Sequence, residues 1–313
     1  MSGNTPKMSN QHYNLTPSDI ARPTKEELSK YAAHINFPWQ TPPVRVPLPF
    51  PVESAIAHYK KTYMLQNSPN GSYLVWSPSE LQDNDAQEYL HTYAIMSSGE
   101  IDPSSKHLIM KTNDLSNYAD SCRIVSAGLK ITYVGRQDEQ SGFFMSLVSQ
   151  GATKNLQFSE LDPAIEVSFL LQDDNTQISP VQDGLCAKWR PTDYDDLNFK
   201  TSKGTHDFEV GIAIQGSENF APFLIETIQT VEYIPSVNVG FVIPGSRIQE
   251  SNHSSEIMST ASKLPSKTTT KKDDDNWWNT VKNAVGTASE VLDTAGEIWG
   301  KLGPIVEIGA SLL

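Results

Sequence analysis

The fold is decided by the stretch CRIVSAGLKITYVG, residues 122–135. Val125, Ala127, Leu129, Ile131 and Tyr133 alternate there with Ser126, Gly128, Lys130 and Thr132. Successive side chains of a strand point to opposite faces, so this period of two is that of a half-buried β-strand. The pattern recurs at 165–171, where Ile165, Val167, Phe169 and Leu171 alternate with Glu166 and Ser168, and at 207–214, where Phe208, Val210, Ile212 and Ile214 share a face. Shorter candidates lie at 73–76, 89–96, 143–148, 185–190 and 223–233, which brings the expected strands to eight. Clusters of Gly, Pro, Asp and Asn separate them, and no helical period intervenes to serve as a parallel crossover. The expected fold class is therefore all-β: a single eight-stranded antiparallel jelly-roll sandwich, with an irregular N-terminal arm and a C-terminal amphipathic α-helix.

Working outward, four zones emerge. Residues 1–52 form a proline-rich N-terminal arm. Pro38, Pro42, Pro43, Pro47, Pro49 and Pro51 break any long helix there and favour an extended strap laid over a neighbouring surface. A short helix is expected at 23–33, whose first turn is acidic. Residues 53–249 are the expected jelly-roll domain. Residues 250–275, rich in Ser, Thr and Lys and poor in large apolar groups, read as a flexible linker. In the last zone, 276–313, Trp277, Trp278, Val281, Val285, Val291, Leu292, Ile298, Trp299 and Leu302 fall at steps of three and four, with alanines between them. That is one apolar helical stripe, and Gly303-Pro304 ends it.

The 313 residues are 38% hydrophobic and 19% charged, enough for one large β domain with flanking segments. Residues 1–45 carry five basic and three acidic groups (+2), residues 251–272 four lysines and one glutamate (+3), and residues 273–313 two lysines and seven acids (−5). These cancel, so the whole net charge of −13 falls on residues 46–250, and such a body repels nucleic acid phosphate on average. No apolar run is long enough for a membrane-spanning helix, and the first residues lack the apolar core of a secretory signal. Cys122 and Cys186 permit at most one bridge, and a reduced pair is expected. The seven histidines show no metal-binding spacing. No nucleophile elbow or phosphate-binding glycine loop is present, so no enzyme class is indicated.

The stretch 122–135 resembles a conserved strand in coat proteins of small icosahedral positive-strand RNA viruses, the noda-like and tombus-like jelly-roll group. Two further segments resemble that group in the same order: WRPTDYDDLNF at 189–199, and FLIETIQTVEYIP at 223–235, which closes on Glu232-Tyr233-Ile234-Pro235. The resemblance covers the second half of the barrel better than the first. It implies a capsid protein found in the virion and made in the host cytoplasm. Its partners would be copies of itself, the viral RNA genome and, through the C-terminal helix, the host membrane. That helix would pack inside the shell and disturb membranes on entry, although its net acidity is unlike most interfacial helices. The basic N-terminal arm common in the group is missing here, and the lysines of 263–272 are the next candidate for holding RNA.

Sharper site readings follow from the same resemblance. Asn283 and Ala284 match an Asn-Ala pair at which some of these proteins cleave themselves, a single-turnover event, but a cut there would separate Trp277, Trp278 and Val281 from the released peptide. The bland reading of such asparagines is a cap or polar face. Asp193, Asp195 and Asp196 are candidate calcium ligands between subunits, yet calcium takes six to eight oxygens, and the bland reading is a solvated turn. No other cofactor is expected. The rival functions are a carbohydrate-binding, lectin-like jelly roll and an enzyme on a cupin-like barrel, the latter disfavoured by the scattered histidines.

Overall fold

The computed structural model describes residues 23–48, 54–78, 88–111, 115, 119–150, 167, 176–200, 208–235 and 252–268. The alternating stretches form two sheets with antiparallel pairing throughout. The first is ordered β1 (Ala55–Gln66), β10 (Pro222–Pro235), β5 (Ala119–Tyr133), β8 (Leu185–Trp189), β11 (Lys267–Thr268). The second is ordered β4 (Ile101–Lys111), β3 (Glu88–Ile95), β2 (Ser72–Trp76), β9 (Phe208–Gln215), β6 (Phe143–Gln150), β7 (Gln177–Pro180). Apart from β3, β4 and β11, eight strands fall into two four-stranded sheets in which the first strand pairs with the last, as in a jelly roll. β3 and β4 add a hairpin beside β2, and β11 adds a short edge.

The described strands thus number eleven, not eight. Two long ones, β1 and β4, escaped the sequence reading because both are edges with mostly polar exposed positions. β1 alternates exposed and half-buried residues almost to its end, and β4 contains Pro103, which an edge strand tolerates because its outward N–H needs no partner. Of the strand expected at 165–171, only Val167 lies among the described residues; it is buried, and its N–H donates to the Gly99 carbonyl (3.0 Å).

Between the sheets lies one apolar core that includes Leu74, Trp76, Leu129, Phe144, Ile212 and Phe223. The register of β5 on β10 shifts twice, once near its start, between Ile234 and Pro235, and once within the apolar stretch. The second shift lies between Thr230, which faces Ser126, and Val231, which faces Ile124, so Val125 is the extra residue of a β-bulge. Ile124 therefore enters the sandwich core, while Val125 turns to the opposite face of the sheet. Arg123 is carried to that outer face with it.

The outer face of the first sheet is covered by the arm and by a second helix. α1 (Lys25–Asn36) starts at a capping box in which Thr24 and Glu27 satisfy each other's backbone N–H groups. It buries Leu28, Tyr31, Ala32 and Ile35, spaced as one helical stripe. The linker expectation for 250–275 is corrected over 252–268. There α2 (Asn252–Ser262) buries Ile257 and Ala261, Leu264 follows one turn on, and β11 then pairs with β8. Three apolar residues at helical spacing outweigh a polar composition once a partner surface buries them. Residues 269–313, and with them the stretch expected to form a C-terminal helix, lie outside the described residues.

Trp39 of the strap lies directly on Gly128 of β5, where a Cβ would stand 2.5 Å from the indole Cη2. Gly128→Ala should therefore force the indole away and lower stability by about 1–3 kcal/mol, the usual cost of overpacking. The urea midpoint checks this, and a parallel Trp39→Ala change should relieve the clash, so the double variant should fall short of the sum of the singles.

A buried polar seam and an apolar rim

With Arg123 turned outward by the bulge, its side chain meets Glu232 on the neighbouring strand β10 under the arm. Arg123 Nε and Nη2 both donate to Glu232 Oε2, at 3.0 and 2.9 Å, and Nη1 donates to the Leu197 carbonyl at 2.7 Å. The guanidinium carbon sits 4.3 Å from the centre of the Phe199 ring. Glu232 also accepts from Ser54 Oγ (2.6 Å) and from the Val46 N–H (3.2 Å). Both charged side chains are essentially without solvent contact. Desolvation draws the Arg123 pKa down, and the Glu232 carboxylate opposes it. The Tyr31 phenol beside them is pushed far up by burial, and its hydroxyl has no hydrogen-bond partner among the described residues.

The three segments singled out in the sequence converge here. The first supplies Arg123, the third supplies Glu232, and WRPTDYDDLNF supplies Leu197 and Phe199. In that segment Asp193 caps a 3₁₀ turn, Tyr194–Leu197: Asp193 Oδ1 accepts from the Asp195 N–H, while Asp196 Oδ2 accepts from the N–H groups of Thr192 and Asp193. Asp195 accepts from Asn198 Nδ2 and lies 3.8 Å from Lys200 Nζ. The carboxylates proposed as calcium ligands are thus engaged in building the turn that aims Leu197 at Arg123. Among the described residues no group of three or more His, Cys, Asp or Glu is gathered as a metal site. Asn283, Ala284 and the apolar stripe from Trp277 to Leu302 lie outside the described residues.

A second buried cation extends the seam. Lys188 on β8 donates to Asn36 Oδ1 (3.1 Å) and stands 4.4 Å over the Phe37 ring, fastening the end of α1. Arg190 bonds the carbonyls of Ser262 and Leu264 and so fixes α2. Sequence reasoning missed this constellation. Its signal was present as charged residues, Arg123, Lys188 and Glu232, set within otherwise apolar strands.

The opposite end of the sandwich differs. Five turns gather there, joining β1 to β2, β3 to β4, β5 to β6, β7 to β8 and β9 to β10. The exposed large apolar side chains among the described residues are Met64, Met96, Val134, Phe143, Ile178 and Phe220. All lie in these turns or within two residues of the strand ends that border them. Phe220 is 63% exposed and has φ +63°, the one left-handed non-glycine residue among those described. Its backbone is pinned by a bond from its N–H to the Asn67 carbonyl (3.0 Å). A bulky residue held in that region stores strain on the order of 1–3 kcal/mol, and such strain gathers where a side chain is presented for use.

No protein-family model matches the chain, and no curated protein sequence matches it. In three dimensions it is similar to a chain of the T13 IBDV viral particle, with 9% identity, 83% of this chain and 97% of that chain covered, and a TM-score of 0.59. It is similar also to a chain of the T=1 particles derived from infectious bursal virus (12% identity, 85% and 99% covered, TM-score 0.58). The infectious bursal disease virus Gt strain gives a third likeness (10% identity, 78% and 98% covered, TM-score 0.55). At these identities the likeness establishes a common sandwich fold.

Lys188→Met should leave the Asn36 carbonyl buried without its donor, at a cost of about 1–3 kcal/mol. Chemical denaturation measures the loss, and limited proteolysis should place the first new cuts in the arm.

Proposed function

We propose that the chain is a capsid protein that assembles with copies of itself into an icosahedral shell around a single-stranded RNA genome. The observation that carries this reading is the shared sandwich, whose likeness to subunits of infectious bursal disease virus particles extends over 97% of one such chain. The apolar rim supports it, because the exposed large apolar side chains among the described residues gather at one end of the sandwich, where another surface could dock. The finer reading rests on the three segments that resemble the noda-like and tombus-like group. It makes the chain a virion protein of a positive-strand RNA virus, made in the host cytoplasm and acting without turnover. The segment 276–313 would pack inside the shell and perturb host membranes during entry. With a body this acidic, genome contacts would fall to short basic stretches such as 263–272.

A lectin-like reading has one observation in its favour. A cleft of about 490 Å³ opens between β1 and the β3–β4 hairpin, and it is lined by Tyr63, Tyr93, Gln66, Ser68, Ser105 and His107 among others. Aromatic faces beside hydroxyls and amides suit a sugar.

Electron microscopy and sedimentation of the purified full chain separate the two: closed particles support the capsid reading, and a monomer that binds a glycan array would replace it. Phe220→Asn should keep or slightly raise the melting temperature, since asparagine tolerates the left-handed region, while cutting particle yield about tenfold, the effect of losing one well-packed interface aromatic.

A further inference from the structure

Two histidines share one threonine hydroxyl beneath the arm. His34 Nε2 on α1 and His58 Nδ1 on β1 each lie 2.8 Å from Thr230 Oγ1 on β10. His34 Nδ1 lies 3.0 Å from Thr41 Oγ1, whose own hydrogen goes to the Phe37 carbonyl (2.7 Å). Each hydroxyl has one hydrogen, so the directions are fixed. Thr41 must accept from His34 Nδ1–H, which leaves Nε2 of the neutral ring as an acceptor. Thr230 must donate to that nitrogen and therefore accept from His58 Nδ1–H. The chain runs His58 to Thr230 to His34 to Thr41 to the Phe37 carbonyl, and it joins β1, β10, α1 and the strap.

The two histidines differ in what a proton does. His58 is exposed, and its free nitrogen is Nε2, so it can charge without breaking a bond of the chain. His34 has no solvent exposure, and a proton can enter only at Nε2, where it displaces the Thr230 hydrogen. The rings stand 6.2 Å apart, so a charged His58 also repels a charged His34. Among the described residues no carboxylate bonds either ring. The groups around them are Lys60 further along β1, Tyr31 on α1, Lys188 on β8, and the mutually paired Arg123 and Glu232, the last lying two residues beyond Thr230.

We propose that this chain is an acid-released latch, which holds α1 and the strap on the first sheet at neutral pH and lets them leave in mild acid. The sign follows from the direction of titration. Desolvation, then the nearby His58, lowers the His34 pKa to about 3, and desolvation, then Lys60, lowers that of His58. The docked arm therefore binds fewer protons than the released arm. Docking is fully favoured above the ordinary histidine value of 6.5 and weakens tenfold for each pH unit below it, until His34 itself titrates. At pH 5 the shift toward release is about thirtyfold from His34 alone.

Hydrogen exchange of the full chain, corrected for the intrinsic effect of pH on exchange, tests this whether or not particles form. The α1 amides should exchange about thirtyfold faster at pH 5.0 than at pH 7.5, while those of β9, in the middle of the second sheet, keep their protection. His34→Gln, which keeps a donor and an acceptor but cannot charge, should remove most of the pH dependence from α1 and leave only the share of His58. Should that variant fail to fold, the wild-type comparison of α1 with β9 decides alone. Retained protection of α1 at pH 5.0, parallel loss in β9, or unchanged pH dependence in His34→Gln would each overturn the latch.

Discussion

An arginine and a glutamate without solvent contact, 109 positions apart in sequence, are joined across two neighbouring strands beneath the arm. Taking both charges out of water costs several kcal/mol per ion, and their attraction offsets that only if the remaining donors and acceptors are also satisfied. Glu232 therefore needs Ser54 and Val46, and Arg123 needs the Leu197 carbonyl and the Phe199 ring. Each requirement recruits another segment: the arm, the start of β1 and the capped turn after β8. One desolvated pair thus dictates that the arm lies on the sheet, that β5 carries a bulge at Val125, and that β10 pairs with β5.

Much of the sandwich was legible because burial on one face leaves an alternating pattern. β5, β9 and β10 were located to within a few residues on that ground. The bulge was not legible: period-two counting assigns Val125 to the core face, and only the pairing partner reveals the extra residue. β1 and β4 were lost because edge strands keep polar residues that blunt further pairing. The stretch from Ile257 to Leu264 carried a helical signal that its polar surroundings outvoted. The three segments of the seam were each recognised, but their meeting was not. Each reads as a separate stretch of chain, whereas convergence depends on which strands are neighbours.

The two ends of the sandwich divide the work. At one end the charges are hidden, and the chain is fastened to itself through Arg123, Lys188 and Arg190. At the other, apolar side chains are shown to solvent, and Phe220 is held in a strained conformation. The histidine chain lies on the arm's side, so acid acts on the fastening and leaves the rim unaltered. A chain built this way can keep its apolar rim while the fastening of its arm changes.

The central claim is that Arg123 and Glu232 act as one unit that secures the arm. A double-mutant cycle tests it most directly, with Arg123→Met, Glu232→Leu and the double variant compared by urea denaturation at pH 7.5. Each single change strands a buried charge and should cost about 3–5 kcal/mol, while the double should cost at least 2 kcal/mol less than their sum. Strictly additive losses would contradict the account, since they would mean that the two side chains stabilise the fold independently of each other.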